Sequence, residues 1–537
     1  MKSYLLILVC AFSIGAVPKR TTPTPPTPDA DATGVSKLVH LGSNGKLVYE
    51  PYTEHGDVIP DFSNCGYMGG GVRIPDVAAK ITLRPETGSG DDTARIQQAI
   101  DQLGNMPIGP DGFRGALVLS RGYYHIGGSL KIHASGIVLR GEGSGEGGTV
   151  LTATGNKPRA MIVVASDAKQ VIVESKQSPD VTDEYVPVGA RSLGVVDASQ
   201  FHVGDCIIVR RIGNAAWIHE LGMDDMPIQR SGTRDWKSFD IESDRVITAV
   251  NGNQITFDAP ICCAIEKRWG GGEVVKYTDA ERIGQIGVEN LRAISEFDKS
   301  VEKKLGDTSY YADEQHATDA ISFNTCKNAW ARNIVAMRFV HGVAKMERGS
   351  KWITVQDSEA REPVSIITGG RRYPFNIMGQ LCLVLRCRSD EERHAFVMNG
   401  SHDAGPDAFV DCTSEHNHAD SGPHQRWSTG TLWDNVVGVM HTQDREDMGS
   451  GHGWAGANDV YWNCSGRITI EQPPTAQNFA FGFVGQKDKA AFTQLHHPEG
   501  WYESFGKRVQ PPSLYMQQLK DRLGPRADEN ITPPGSH

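Results

Sequence analysis

The sequence is short of basic charge, of zinc-type cysteine spacing and of an apolar run long enough to cross a bilayer. Lysine and arginine total 54 against 65 acidic residues, a net charge of -11. That balance speaks against a nucleic-acid partner, which needs a basic surface. It leaves acidic substrates open, because a local cluster of Arg and His binds anions on an acidic protein. The N-terminal apolar stretch, Leu5 to Ile14, is too short to span a membrane. No Cys-x-x-Cys pair points to zinc, and no calcium loop of fixed spacing occurs.

What is present suits a turn-rich β protein, with 59 glycines and 39% hydrophobic residues. At 537 residues the chain is too long for one ordinary core, a limit that a solenoid escapes by growing in one dimension. Residues 1–16 read as a secretory signal: Lys2 supplies the positive end and Ser13 to Ala16 the small-residue cleavage site. The mature chain is therefore expected to be a soluble, secreted (extracellular or periplasmic) monomer. Residues 17–45, Thr- and Pro-rich from Thr21 to Thr33, read as a flexible leader.

A short pattern recurs between 371 and 464. Tyr373-Pro-Phe-Asn, His394-Ala-Phe-Val, His424-Gln-Arg-Trp and His452-Gly-Trp-Ala align, with lead residues 21, 30 and 28 apart. Each is followed by an apolar run ending near Cys387, Cys412, Asn435 or Cys464. A period of this size marks a solenoid, so the four lead residues are expected to stack in one column. The cysteines then form a buried ladder of small apolar thiols.

Three segments carry a family likeness, in order: the Gly90-Asp-Asp-Thr helix start, the strand-Gly122-Tyr-Tyr turn, and Ile137-Val-Leu-Arg-Gly-Glu-Gly143. Together they resemble the pectate lyase-like superfamily of right-handed parallel β-helices. The likeness implies an all-β solenoid whose N-terminal helix caps its open end. It leaves the activity open, since the superfamily includes lyases, hydrolases, epimerases and phage tail proteins. The expected organisation is a cap and first coils at 46–169 and an inserted all-β module at 170–278. The main coils with the active site follow at 279–475, then a tail with a capping helix at 476–537. In the insert, the loop Trp217 to Phe239 reads as core packing, with a sugar-contacting lid as the alternative.

Seven of the 18 histidines fall between 394 and 452, interleaved with arginines. Arg372-Tyr373 and Arg393-His394 repeat at a spacing of 21. Cleavage of a uronate polymer by β-elimination needs a neutralised carboxylate, a base for the α-proton and an acid for the departing oxygen. His has the best-placed unperturbed pKa for the base. The expected set is His394 or His424 as base, Tyr373 as acid, and Arg393 or Arg426 on the carboxylate. Arg372, Arg426, His416, His418, His452 and Trp427 are expected in the subsites. Lys345 and Lys351 are alternative bases. Calcium is a candidate cofactor, with Asp390, Glu391, Glu392, Asp403, Asp407, Glu415 and Asp420 as oxygen donors. Gly451-His-Gly453 matches an element of polygalacturonase-like hydrolases, but their Asn-Thr-Asp and Asp-Asp elements are absent between 320 and 450. Hydrolysis and a non-catalytic carbohydrate-binding solenoid remain the alternatives to an acidic-polysaccharide lyase.

Overall fold

The computed structural model describes residues 34–86, 88, 90–168, 173–230, 232, 234–492 and 494–532. The expected signal at 1–16 and the Thr/Pro stretch lie outside them. Most strands belong to three parallel ladders wound into a β-helix. The first ladder runs from Ala79–Leu83 through Lys351–Gln356, Leu383–Leu385, Ala404–Val410 and Val460–Trp462 to Trp501–Glu503. The second includes Glu359–Arg361, Arg388–Asp390, Thr413–Glu415 and Val437–Thr442. The third includes Ala317–Phe323, Gly342–Met346, Phe375–Ile377, Phe396–Met398 and Gly422–Pro423.

The corner between the first two ladders is the same on successive coils. Arg386, Asp411, Asn435 and Asn463 stand at register-equivalent places with φ between +50° and +56°. Asp and Asn tolerate this left-handed conformation because their short side chains bond locally. These corners are the polar ends of the apolar runs. One residue on, Cys387, Cys412 and Cys464 are fully buried and form no disulfide.

Alternation along the first ladder builds two apolar faces. Val384, Phe409, Trp433 and Tyr461 point into the coil interior. Leu383, Leu385, Val410, Leu432 and Trp462 point outward into a second cluster, where Leu514, Tyr515 and Leu519 cover them. The C-terminal helix Leu514–Leu523, capped by Ser513 accepting from the Met516 N–H, therefore lies along the flank of the coils. That differs from the expectation of a cover for the open end: the outward-facing apolar row is the larger surface needing cover. The same cluster takes in Leu38 and Val39, so the chain is packed well before residue 45, where the leader was placed. Helix Thr93–Gly104 buries Ile96, Ala99, Ile100 and Leu103 against the first coils.

Between Val173 and Thr278 the strands turn antiparallel and form a six-stranded sheet. Buried charges tie it to the solenoid. Asp244 accepts from Lys351 Nζ at 2.6 Å and from Arg282 at 3.2 Å. Arg245, fully buried, donates to the carbonyls of Pro260 at 2.7 Å and Gly405 at 2.6 Å. Trp217, Met223, Met226 and Trp236 pack as core around Trp427 and Trp454.

Candidate active site

Strand register makes the predicted column from two pairs rather than four equal steps. Phe375 pairs with Phe396, which keeps Tyr373 over His394. Ser428 pairs with Gly456, which keeps His424 over His452. Between the pairs, Val397 is opposite Gly422, so the residue in register with His394 is Ala419. His424 arrives five positions later, beyond the short strand Gly422–Pro423, yet its ring returns to the cluster. Ring centroids are 5.1 Å apart for Tyr373 and His394, 4.8 Å for His394 and His424, and 4.8 Å for His424 and His452.

The hydrogen bonds fix the proton positions. Arg445 Nη1 donates to His424 Nδ1 at 2.8 Å and to the His424 carbonyl at 2.9 Å. A guanidinium only donates, so the His424 proton sits on Nε2, which faces the Tyr373 hydroxyl at 3.3 Å. Arg393 also donates to that hydroxyl, at 3.2 Å. His394 Nδ1 lies 2.6 Å from the Asp420 carbonyl. A carbonyl only accepts, so Nδ1 carries the proton and Nε2 is the bare nitrogen. That atom is buried and has no hydrogen-bond partner among the described residues.

Burial sets the protonation states. It pushes the His394 imidazole down to about 3 and, with Arg445, holds His424 well below the usual histidine range. His452 is likewise lowered to about 3 by burial, then by Arg445 and Arg426. Burial raises the Tyr373 phenol, with Arg393 and Arg445 opposing. Burial alone would raise Asp420, but His394, His441 and Arg445 together outweigh it and hold that carboxyl below its ordinary value. The centre is thus three neutral imidazoles and a neutral phenol beside two guanidiniums, with the Asp420 carboxylate 3.7 Å from His394 Nδ1.

Several expected site residues stand elsewhere. Arg372, expected in a subsite, turns away from Tyr373 and donates at 2.9 Å to the carbonyls of Ser365 and Glu391. Trp427 is fully buried, 5.3 Å from Trp217, and offers no face to a sugar. His416 is exposed on the second ladder, 2.6 Å from Asp390. His418 lies on the same turn, its imidazole lowered to about 4 by burial and by Arg372. Arg426, half-buried, donates to the carbonyls of Gly451 and Ser450 beside the cluster. Lys351 is spent on Asp244, and Lys345 pairs with Glu347 at 2.7 Å.

The carboxylates named for calcium do not converge. Asp403 faces Arg348 at 3.3 Å, Asp407 accepts from the Cys382 N–H at 2.7 Å, and Asp390 faces His416. Among the described residues no group of three or more His, Cys, Asp or Glu is arranged to hold a metal ion. These donors do not fit the expected calcium site, and no step below uses one.

Arg445 is the site residue that sequence reading missed. It sits in the strongly polar run Gln443-Asp-Arg-Glu-Asp447, all five residues of which are buried. Asp444 accepts from His497 Nε2 at 3.0 Å and its N–H donates to Glu471 at 2.8 Å. Burial pushes Glu471 up to about 7.

No protein-family model matches the chain, and no curated protein does. Solved structures similar to it include the tailspike protein gp49 from Pseudomonas phage LKA1, 11% identical over 73% of this chain and 57% of that one, with a TM-score of 0.44. A polygalacturonase from Erwinia carotovora ssp. carotovora is 11% identical over 82% and 98%, with a TM-score of 0.32. The A-module of the mannuronan C-5 epimerase AlgE6 from Azotobacter vinelandii is 10% identical over 79% and 97%, with a TM-score of 0.31. The chain spans less than two thirds of the tailspike's length.

Proposed function

We propose that this chain is a secreted polysaccharide lyase that cleaves a uronic acid-containing polymer by β-elimination. One observation carries the reading. The Tyr373 hydroxyl lies 3.2 Å from an Arg393 nitrogen and 3.3 Å from His424 Nε2, beside the bare Nε2 of His394. A proton donor, an unprotonated base and a cation converge, which is the set that elimination next to a carboxylate requires.

In this reading Arg393 meets the uronate carboxylate. Its guanidinium now donates to the Gly369 carbonyl, and an ionised carboxylate is the stronger acceptor, so substrate draws it off and uncovers the phenol. His394 Nε2 takes the C5 proton, and the C5–H electron pair becomes the C4–C5 double bond. The C4–O bond breaks, and the departing oxygen takes the Tyr373 proton. His424 Nε2–H, oriented by Arg445, holds the tyrosinate oxygen until the proton returns from His394. The positive cluster also supports an anionic substrate over a neutral one.

The test is incubation with a panel of uronic acid polysaccharides, following the ultraviolet absorbance of the unsaturated product. Cleavage with that absorbance is the expected result. New reducing ends without it would replace elimination with hydrolysis. Binding without cleavage would make the chain a carbohydrate-binding solenoid.

A further inference from the structure

A cleft of about 550 Å³ lies where the N-terminal arm, the antiparallel sheet and the last coils meet. It shares no lining residue with the imidazole column, and its volume suits a ligand of several rings. Its walls are aromatic and held in place. Trp501 is 38% exposed, and its indole N–H donates to Glu503 at 3.1 Å, which fixes the ring. Tyr52 packs edge-on against Phe479 with centroids 4.9 Å apart. His55 stacks on Tyr185 at 4.4 Å, and the Tyr185 hydroxyl donates to Asp57 at 2.7 Å. Ordering these rings costs nothing further when a ligand arrives. Gln472 and Gln477 stand between them, and an amide both donates and accepts, which matches a hydroxyl.

The charge of the lining selects among sugars. The lining holds three carboxylates and one cation: Arg268 pairs with Glu266 at 2.7 Å and Lys487, just outside the cleft, with Glu499 at 2.8 Å, which leaves Asp57 as the carboxylate without a cationic partner among the described residues. A polyuronate meets repulsion here, the opposite of its reception at the Arg393 cluster. The apolar face of a neutral pyranose meets aromatic rings, and its hydroxyls meet amides. We propose that this cleft is a second carbohydrate site, separate from the reacting centre, that binds a neutral oligosaccharide. The assignment stands on its own lining and does not depend on the lyase reading.

Titration calorimetry on the full chain tests it, with cellohexaose, xylohexaose and mannohexaose as neutral probes and a galacturonate hexamer as the anionic one. At least one neutral probe should bind, about tenfold or more weaker in Trp501→Ala, a loss of about 1.4 kcal/mol. Trp501→Phe should restore most of that loss, and Gln472→Ala, an exposed change that leaves the fold intact, should weaken binding by itself. Uronate turnover should be the same in all three variants. The proposal is overturned if no neutral probe binds, if Trp501→Ala and Gln472→Ala bind as the parent does, or if the galacturonate hexamer binds with equal affinity and the same sensitivity to Trp501→Ala.

Discussion

Two columns of titratable side chains stack on neighbouring ladders of this solenoid, and they differ in what surrounds them. On the second ladder Glu359 is opposite Arg388, and Asp390 is opposite Glu415. Arg388 reaches Glu415 at 3.3 Å with side chains 63% and 53% exposed, and His416 reaches Asp390 at 2.6 Å. Each charge there has an opposite partner and water around it, so the column is a solvated face of low energetic consequence. On the third ladder Tyr373, His394 and His424 are buried, two guanidiniums and only the Asp420 carboxylate stand beside them, and one imidazole nitrogen is unpartnered. Spacing by one coil produces the second-ladder column and the Tyr373–His394 pair. Desolvation and the sign of the neighbours separate a surface from a reaction centre.

The largest expected contrast is kinetic. Tyr373→Phe should lower turnover of a uronate polymer by about 1,000-fold, in line with loss of a positioned acid, while its thermal midpoint stays near that of the parent. Arg388→Ala should leave turnover within about twofold of the parent. Equal effects of the two changes in the absorbance assay would erase the distinction between the columns.

Next is the buried guanidinium. Arg445→Met removes the positive neighbour of Asp420 and the donor to His424, and should cost about 3 kcal/mol in urea unfolding. A loss under about 1 kcal/mol would place Arg445 with the solvated pairs.

The third contrast is in pH. The folded His394 is lowered to about 3 by burial, while the unfolded residue titrates near 6.5. Between those values the unfolded chain binds the extra proton. The contribution of His394 is therefore intact above about 6.5 and falls by about 1.4 kcal/mol per pH unit as pH drops towards about 3. His394→Asn should remove that slope, seen as a smaller stability difference between pH 6 and pH 4 than in the parent. Unchanged slopes would mean that His394 is solvated like His416.

The smallest effect belongs to the exposed column. A double-mutant cycle on Arg388 and Glu415 should give a coupling of about 0.5 kcal/mol or less. A coupling above about 2 kcal/mol would show that the second ladder also holds desolvated charge.

Much of the fold was legible in the chain. The coil period, the Asp and Asn corners at Asp411, Asn435 and Asn463, and the inward cysteines follow from local rules of backbone conformation and side-chain size. The centre was legible in part. Tyr373 and His394 pair as their spacing of 21 implies, whereas His424 follows Gly422–Pro423, five positions past the residue in register with His394, and joins them through its ring. Arg372 and Arg393 look alike in sequence, but one is consumed by backbone carbonyls and the other reaches the phenol.

The sequence by itself determined that this chain is a solenoid with a His- and Arg-rich stretch on one side. Those properties are periodic and local, and each coil repeats them without reference to distant residues. Tertiary structure alone decided which members of that stretch are desolvated. Burial of Trp427 needs Trp217 from the helix Ala215–Glu220, and the bond from Arg445 to His424 comes from a segment outside the strand ladders. A pKa shift is a property of surroundings, and for His394 and His424 those surroundings are assembled by side chains between Arg393 and His452 that only folding brings together.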